Sequence, residues 1–480
     1  MNYTKRVWPG LATFAVLAFI FVVMPGSSLA ATTTAGFRVG PNVQVFNNPG
    51  VQAEVAIAAN PVDDKNLIIG TNDGRLTSTS CSISSTSLCV TNWIGVFTST
   101  DGGKTWLPQL LPGFPGGPTG VLTGFQEGAD PIVAFDGRGA AYAGGIFWKG
   151  PTFLQSSHGF TLALSRSDDG GLTWNEPSIL ASGSGLNPFP DHPQMAVDNT
   201  GGGQDGNVYV IWHSLVGLAS SKDVQVGTSR DRGMTWSTIR VSGPIPSDDF
   251  KGLYGDTIVA VGPSGVVYAA WDEPFQGVDG VPREKFWMTV SLDGGGSFQA
   301  PWVIEDAIAP IQLPNAPFRA SSFPVLAIDT SRGTHSGRLY LTWSDQRSGN
   351  ADILLKASDD GGKTWSTIRR VNDDSGTSAQ FDAWVSVAPN GRVDLSFFDR
   401  RDDPNDYLLR RYYAGSTDGG VTFVNVRVSD VPFDPAVLGF VGDYNQIAST
   451  LKVAHPAWTD GRNGLPGNGN TDIYTASIFA

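Results

Sequence analysis

Short runs of hydrophobic residues, separated by turn-forming Gly, Pro, Asn and Asp residues, recur along most of this 480-residue chain. One representative unit contains four such runs, at Gln194–Val197, Asn207–Trp212, Val224–Thr228 and Ser237–Val241. Four antiparallel strands within roughly 60 residues are typical of one blade of a β-propeller. The same pattern predicts other first strands at Val55, Ile132, Thr257, Val325 and Trp384. We therefore predict an all-β propeller of four-stranded antiparallel blades.

An eight-residue motif, Ser-x-Asp-x-Gly-x-Thr-Trp, recurs at intervals of about one blade, and two of its six copies end in Phe. Its aspartates are Asp101, Asp169, Asp231, Asp293, Asp360 and Asp418. In such a motif the aspartate accepts backbone N–H groups of its own turn, glycine adopts a positive φ, and the aromatic side chain folds back onto the hairpin. We therefore expect these six aspartates to be structural and to mark turns between third and fourth strands.

The two ends of the chain predict how the ring closes. After the sixth motif, three further strands are predicted at Tyr444–Ser449, Val453–Trp458 and Asp472–Phe479. The segment Phe37–Phe46 reads as a strand that precedes the first complete blade. Because a blade needs four strands, this segment is predicted to complete the last blade and close a ring of seven. Six blades with a short extra sheet are the alternative, and in both cases residues 31–480 form one domain.

Residues 1–30 have the features of a secretory signal peptide. Lys5 and Arg6 precede an apolar run from Leu11 to Met24, and a polar stretch ends at Ala30. The apolar run is shorter than the roughly 20 residues of a membrane-spanning helix. We therefore expect cleavage after Ala30 and a secreted or periplasmic protein without membrane contact, an uncleaved anchor being the alternative.

Charge, cysteines and missing motifs narrow the possible functions. The formal net charge of -13 repels phosphate backbones, so nucleic-acid binding is not expected. Cys81 and Cys89 lie in one Ser/Thr-rich loop, and an oxidising compartment favours a disulfide between them. The sequence contains no serine-hydrolase elbow, phosphate-binding loop or HExxH motif. We expect a monomer that requires no cofactor.

The ring face opposite the motifs is where a functional site is expected. Alignment of the first strands places seven residues beside the mouth of the central channel: Glu54, Asp130, His192, Asp256, Phe323, Asp382 and Asp443. Crowded carboxylates raise one another's pKa or recruit a cation such as Ca²⁺. Glu54, Asp256, Asp382 and Asp443 are therefore candidate catalytic groups. The alternative is that each acid caps its strand or accepts a backbone N–H from the neighbouring blade.

Three further side chains belong to this region. Tyr444 follows Asp443 directly and Tyr254 lies just before Asp256, and each is either a phenol nucleophile or a plug of the core. His192, beside Asp191, is a candidate substrate ligand or a structural histidine.

A second recurrence, Asp-x-Arg, follows four second strands. The arginines are Arg75, Arg347, Arg401 and Arg462. Guanidinium groups bind carboxylates in a bidentate manner, so an arc of four could hold an anionic substrate. The alternative is that each arginine pairs with an aspartate and ties the blades together.

The six Asp motifs resemble those of the sialidase superfamily, whose Asp-box propellers carry bacterial neuraminidase repeats. The resemblance covers nearly all of residues 31–480 and implies exo-α-sialidase activity, with a tyrosine nucleophile paired with glutamate, an aspartate acid/base and three arginines. Arg347, Arg401 and Arg462 could form that triad. Phe37-Arg38-Val39-Gly40 matches the first half of the family's Phe/Tyr-Arg-Ile-Pro motif. Seven blades and the regular spacing of the arginines both depart from the family pattern.

Two functional hypotheses follow. The first is a secreted sialidase-like exo-glycosidase that acts on terminal sialic acids or other acidic glycans. The second is a non-catalytic extracellular propeller that binds glycans or proteins, with Ca²⁺ at the channel mouth as an option. A lyase or an oxidoreductase on the same fold is a weaker third, motivated only by the versatility of propellers.

Overall fold

The computed structural model of the chain describes residues 33–34, 36–48, 50–76, 92–150, 159–184, 189–216, 221–246, 256–316, 318–437, 440–464 and 470–480. The predicted signal peptide and the predicted Cys81–Cys89 disulfide lie outside these residues. No helix in the described part of the chain is long and apolar enough to span a bilayer.

Six complete blades follow one another along the chain, each an antiparallel sheet of four consecutive strands. Blades 1 to 3 comprise Gln52–Asn60, Asp63–Asp73, Trp93–Ser99 and Leu107–Leu110; Glu127–Phe135, Ala141–Trp148, Phe160–Ser167 and Ser178–Gly183; and Phe189–Val197, Val208–Val216, Ser221–Ser229 and Ser237–Arg240, with Ile245–Pro246 as an extra strand.

Blades 4 to 6 repeat this arrangement. They comprise Thr257–Val261, Val267–Gln276, Pro282–Ser291 and Trp302–Ile308; Val325–Ile328, Leu339–Asp345, Asp352–Ser358 and Arg369–Arg370; and Gln380–Val387, Val393–Asp399, Arg410–Ser416 and Val424–Arg427. The described residues also include short 3-10 turns at Gly74–Leu76 and Pro435–Val437, outside the sheets.

The seventh blade joins both ends of the chain, as predicted. It comprises Ile447–Ser449, Val453–Asp460, Asp472–Thr475 and Ile478–Phe479 together with Thr33–Thr34, Phe37–Val39 and Val43–Gln44. Arg38 pairs with Phe479, and Val43 pairs with Thr475. The ring of seven is thus confirmed, and the six-bladed alternative is wrong.

All six Asp motifs adopt one turn between the third and fourth strands. In the first, the Asp101 carboxylate accepts the N–H groups of Lys104 and Thr105 at 3.0 Å each, and the Thr105 hydroxyl at 2.6 Å. Partial burial opposes ionisation, but these bonds lower the pKa of Asp101 to about 2. The same bonds from the threonine or serine four residues on recur at Asp169, Asp231, Asp293, Asp360 and Asp418. The motifs therefore fasten hairpins on the face opposite the channel mouth.

The core lies within and between the blades. Second strands carry fully buried tryptophans, such as Trp271, Trp343 and Trp458, and residues of most blades form one continuous hydrophobic cluster. Burying so large an apolar surface between neighbouring blades fixes the inner strands around the channel.

Candidate functional site

The first strands of four blades have the same local distortion at the channel mouth. Each contains a β-bulge, and one bulge residue adopts a left-handed backbone conformation. These residues are Glu54, Asp130, His192 and Asp382, with φ of 58°, 56°, 47° and 53°. A non-glycine residue pays of order 1–3 kcal/mol for such a conformation, which persists where the surrounding structure enforces it. The other three aligned residues, Asp256, Phe323 and Asp443, are not among the described non-glycine residues with positive φ.

Side chains of one blade bind the bulge of the next. Asn72 donates to Oε2 of Glu54 at 2.6 Å and accepts the N–H of Asp130 at 3.0 Å. Oδ2 of Asp130 in turn accepts the N–H of His192 at 3.1 Å, and the His192 carbonyl accepts the Thr257 hydroxyl at 2.9 Å. These bonds join blades 1 to 4 in series, so part of the acidic ring has the structural role kept open above.

Asp443, in the segment that leads into blade 7, contacts two cationic side chains at the channel mouth. Arg319, from the segment that leads into blade 5, donates to both oxygens of Asp443, with Nε to Oδ1 at 2.7 Å. Nε2 of His192 lies 3.4 Å from Oδ2 of Asp443. The Asp443 side chain is 1% exposed, whereas that of Arg319 is 37% exposed and stacks on Phe440. A buried carboxylate thus holds a cation that reaches the surface.

Three carboxyl groups of the ring, those of Glu54, Asp256 and Asp382, resist ionisation. Burial raises the pKa of Asp382 to about 7 and that of Asp256 to about 8. Burial, together with the charges of Asp130 and Asp443, raises the pKa of Glu54 well above its ordinary value. Near neutral pH the channel mouth therefore combines protonated carboxyl groups with an ion-paired carboxylate.

His192 has the reverse behaviour. Burial disfavours its charge, but the surrounding carboxylates of Asp191, Asp443 and Asp130 raise its pKa to about 9. Its Nδ1 is buried and has no hydrogen-bond partner among the described residues. His192 is therefore a cation inside the ring, and its ring packs against Phe323 at 5.6 Å.

A narrow crevice brings two of the predicted acids together. It is lined by Arg319, Ala320, Ser321, Phe381, Asp382, Val441, Gly442 and Asp443. Oδ2 of Asp382 accepts Nδ2 of Asn445 at 2.6 Å and lies 3.5 Å from Nη1 of the buried Arg411. The Asp382 side chain is 10% exposed, so a proton on it can be exchanged with a bound molecule.

Tyr444 belongs to the core. Its side chain is buried, its hydroxyl donates to the backbone carbonyl of Pro131 at 3.2 Å, and its ring neighbours that of Trp384. Burial raises its pKa well above the ordinary value, which disfavours the phenolate that a nucleophile needs. Of the two roles considered, this geometry is that of a plug; Tyr254 lies outside the described residues.

The four Asp-x-Arg arginines each bind the aspartate of their own blade. Each pair has a side-chain contact of 2.7–2.9 Å, namely Arg75–Asp73, Arg347–Asp345, Arg401–Asp399 and Arg462–Asp460. In every pair the backbone N–H of the arginine also donates to the same carboxylate. The repeat is therefore a hook that fixes the end of each second strand.

Three contributors to the site were missed by sequence reasoning: Arg319, Arg411 and Asn445. None lies in a motif that recurs from blade to blade, so pattern alignment gave no signal for them. Within the described ranges, no group of three or more His, Cys, Asp or Glu side chains is arranged to hold a metal ion.

Comparisons with known proteins give a partial match. No family model matches the chain. A sialidase of Bacteroides fragilis (strain YCH46) is 25% identical over 206 residues, 36% of this chain and 36% of that protein, so the match spans about a third of the relative. Among solved structures, a protein of unknown function from Dyadobacter fermentans DSM 18053 has 14% identity and a TM-score of 0.48, covering 93% of this chain and 100% of that one. An α-L-arabinofuranosidase from Fusarium graminearum has 13% identity and a TM-score of 0.46, covering 92% and 97%. The chain is thus a seven-bladed β-propeller that resembles a sialidase over about a third of its length.

Proposed function

We propose that the chain is a secreted glycoside hydrolase whose reaction takes place in the crevice at the channel mouth. The observation that carries this proposal is that Asp382 and Asp443 line one crevice, with different surroundings for the two carboxyl groups. Enzymes that cleave glycosidic bonds commonly use a carboxylic acid and a carboxylate on opposite sides of the bond.

Asp382 is the proposed proton donor. Burial raises its pKa to about 7, so that a large fraction is protonated near neutral pH. Transfer of this proton to the glycosidic oxygen lets the bond to the anomeric carbon break, and the leaving sugar departs as an alcohol. The bond from Asn445 orients the carboxyl group, and the nearby Arg411 favours the carboxylate that remains.

Asp443 is the proposed second carboxyl group. Arg319 donates to both of its carboxyl oxygens, and Nε2 of His192 lies 3.4 Å from Oδ2. An ionised carboxylate here can attack the anomeric carbon or accept a proton from an attacking water molecule.

The substrate is proposed to be a glycan, and the Bacteroides fragilis sialidase supports that class. Terminal sialic acids are the substrates that the resemblance implies, so a sialoside is the first compound to assay. Secretion through residues 1–30 would give the protein access to extracellular glycans.

The test is hydrolysis of a panel of fluorogenic glycosides that includes sialosides, arabinofuranosides, hexosides and hexosaminides. Asp382→Asn should lower kcat on the cleaved glycoside by about 100-fold or more, because general acid catalysis contributes about 10²–10⁴. Asp64→Asn makes the same change at an exposed residue on the motif face and should leave kcat unchanged. The proposal would be overturned if the wild-type protein hydrolysed none of these glycosides, or if Asp382→Asn kept full activity.

Glycan binding without cleavage is the second candidate function. It is favoured by a larger cleft on the same face, between blades 5 and 6.

A further inference from the structure

A cleft of about 280 Å³ opens between blades 5 and 6. Its walls come from four segments: 312–314 before the first strand of blade 5, 346–351 after the second strand, 377–379 before the first strand of blade 6, and Asp406 after its second strand. All four lie on the face of the channel mouth, because first strands begin and second strands end there. The volume is near the lower end of the roughly 300–1,000 Å³ of small-molecule sites.

The cleft and the crevice are neighbours along the boundary between the two blades. Phe381 lines the crevice, its ring centroid lies 5.6 Å from that of Phe318, and the Cζ of Arg400 lies 5.8 Å from each ring. Nη1 of Arg400 donates to the carbonyls of Pro314 and Asp406, two residues of the cleft wall, at 3.0 and 2.9 Å. Arg400 thus contacts residues that line both depressions.

Hydrogen bonds fix the shape of the cleft. Oε1 of Gln346 accepts the N–H of Gln312 at 2.6 Å, which joins two of its walls. Oδ1 of Asp406 accepts the N–H of Ala379 at 3.0 Å, which joins the other two. Such a preformed surface loses little conformational entropy when a ligand binds.

The lining suits a neutral polyol. Its side chains are mainly amides and hydroxyls, including Gln312, Asn350 and Thr377, and Asp406 is its ionisable residue. Arg347 and Arg401 are nearby, but each binds the aspartate of its own blade. Amides and hydroxyls both donate and accept hydrogen bonds, which matches the alternating demands of sugar hydroxyl groups.

We propose that this cleft binds the part of a neutral oligosaccharide that continues beyond the sugar whose glycosidic bond is cleaved at the entrance of the crevice. The proposal rests on the glycoside hydrolase function proposed above and names its substrate class: an uncharged glycan of several sugars rather than an isolated acidic sugar. The leaving group of the reaction is then a sugar chain that lies between blades 5 and 6.

The experiment measures binding of the full-length protein to immobilised oligosaccharides in three sets: neutral chains, sialylated chains and sulfated chains. Thr377→Trp places a large side chain at the exposed rim of the cleft. Thr367→Trp makes the same change at an exposed residue of blade 5 that follows its Asp motif, on the motif side. Thermal unfolding verifies that both variants fold.

Neutral chains should bind the wild-type protein and Thr367→Trp equally, and Thr377→Trp about tenfold more weakly or worse, a loss of about 1.4 kcal/mol. Absence of binding to neutral chains, preference for sialylated or sulfated chains, or equal binding by Thr377→Trp would each overturn the inference. Asp382→Asn separates the two proposals, because it should bind neutral chains without cleaving them. If Thr377→Trp loses binding but the wild-type protein cleaves no glycan, the hydrolase proposal fails and the proposal for the cleft stands. If the wild-type protein cleaves glycans but Thr377→Trp binds them as well as the wild type does, only the proposal for the cleft fails.

Discussion

The ion pair between Arg319 and Asp443 offers a quantitative test of the channel-mouth geometry. Arg319→Met keeps most of the aliphatic length of the side chain and removes its charge. The Asp443 carboxylate, whose side chain is 1% exposed, then loses both bonds from the guanidinium and keeps, among the described residues, the contact with His192 at 3.4 Å. The variant therefore leaves a buried charge with one weaker partner.

The expected cost follows from the burial of the two partners. Removing one member of a fully buried ion pair costs about 3–5 kcal/mol. Arg319 is 37% exposed, so solvent already screens part of the attraction, and we expect a loss of about 2 kcal/mol in the free energy of unfolding. In Arg319→Met/Asp443→Asn no unpaired charge remains, so the double variant should be more stable than Arg319→Met alone.

Urea unfolding followed by tryptophan fluorescence measures both variants at neutral pH. The reasoning is refuted if Arg319→Met loses less than about 0.5 kcal/mol, the size of an ordinary surface substitution. It also fails if Asp443→Asn lowers the stability of the Arg319→Met background further, since the charge would then not be the cause.

Two other predictions concern the hooks and the buried acids. Arg401→Ala should lower the free energy of unfolding by about 2–3 kcal/mol, because the Asp399 carboxylate that Arg401 binds is buried. The kcat on any cleaved glycoside should stay near the wild-type value. Loss of catalysis in a folded variant would instead place Arg401 in the substrate site. Thermal stability should fall as the pH rises from about 6.5 to 9, because the pKa values of His192, Asp256 and Asp382 are raised and the folded state binds more protons than the unfolded state in this window. Below pH 6.5 the buried His213 and His455 act in the opposite direction, because their pKa values are lowered to about 4. A thermal unfolding midpoint that rises between pH 7 and 9 would contradict the assignment of raised pKa values to His192, Asp256 and Asp382.

Much of the fold could be predicted because each blade repeats one local pattern. Strand spacing and the six motifs gave the blades, and the unpaired segment at Phe37–Phe46 gave the closure of the ring. Alignment of the first strands also found the position where Glu54, Asp130, His192 and Asp382 share a left-handed bulge.

The repeated sequence pattern could not predict contacts that cross the channel. Arg319 and Asp443 are 124 positions apart, and Tyr444 reaches Pro131 from 313 positions away. Neither contact recurs from blade to blade, so only the closed ring brings these residues together. The protonation state of Asp382 could not be predicted from the pattern either, because the burial that raises its pKa depends on the blades around it.

The central claim, that Asp382 donates a proton at the channel mouth, is tested most directly by the pH dependence of kcat/KM on the best cleaved glycoside. This profile reports groups of the free enzyme. We predict that kcat/KM falls with an apparent pKa of about 7 as the pH rises, that Asp256→Asn preserves this fall, and that Asp382→Asn abolishes it together with most of the rate. A profile that stays constant between pH 6 and 9, or a fall at pH 7 that persists in Asp382→Asn, would contradict the claim.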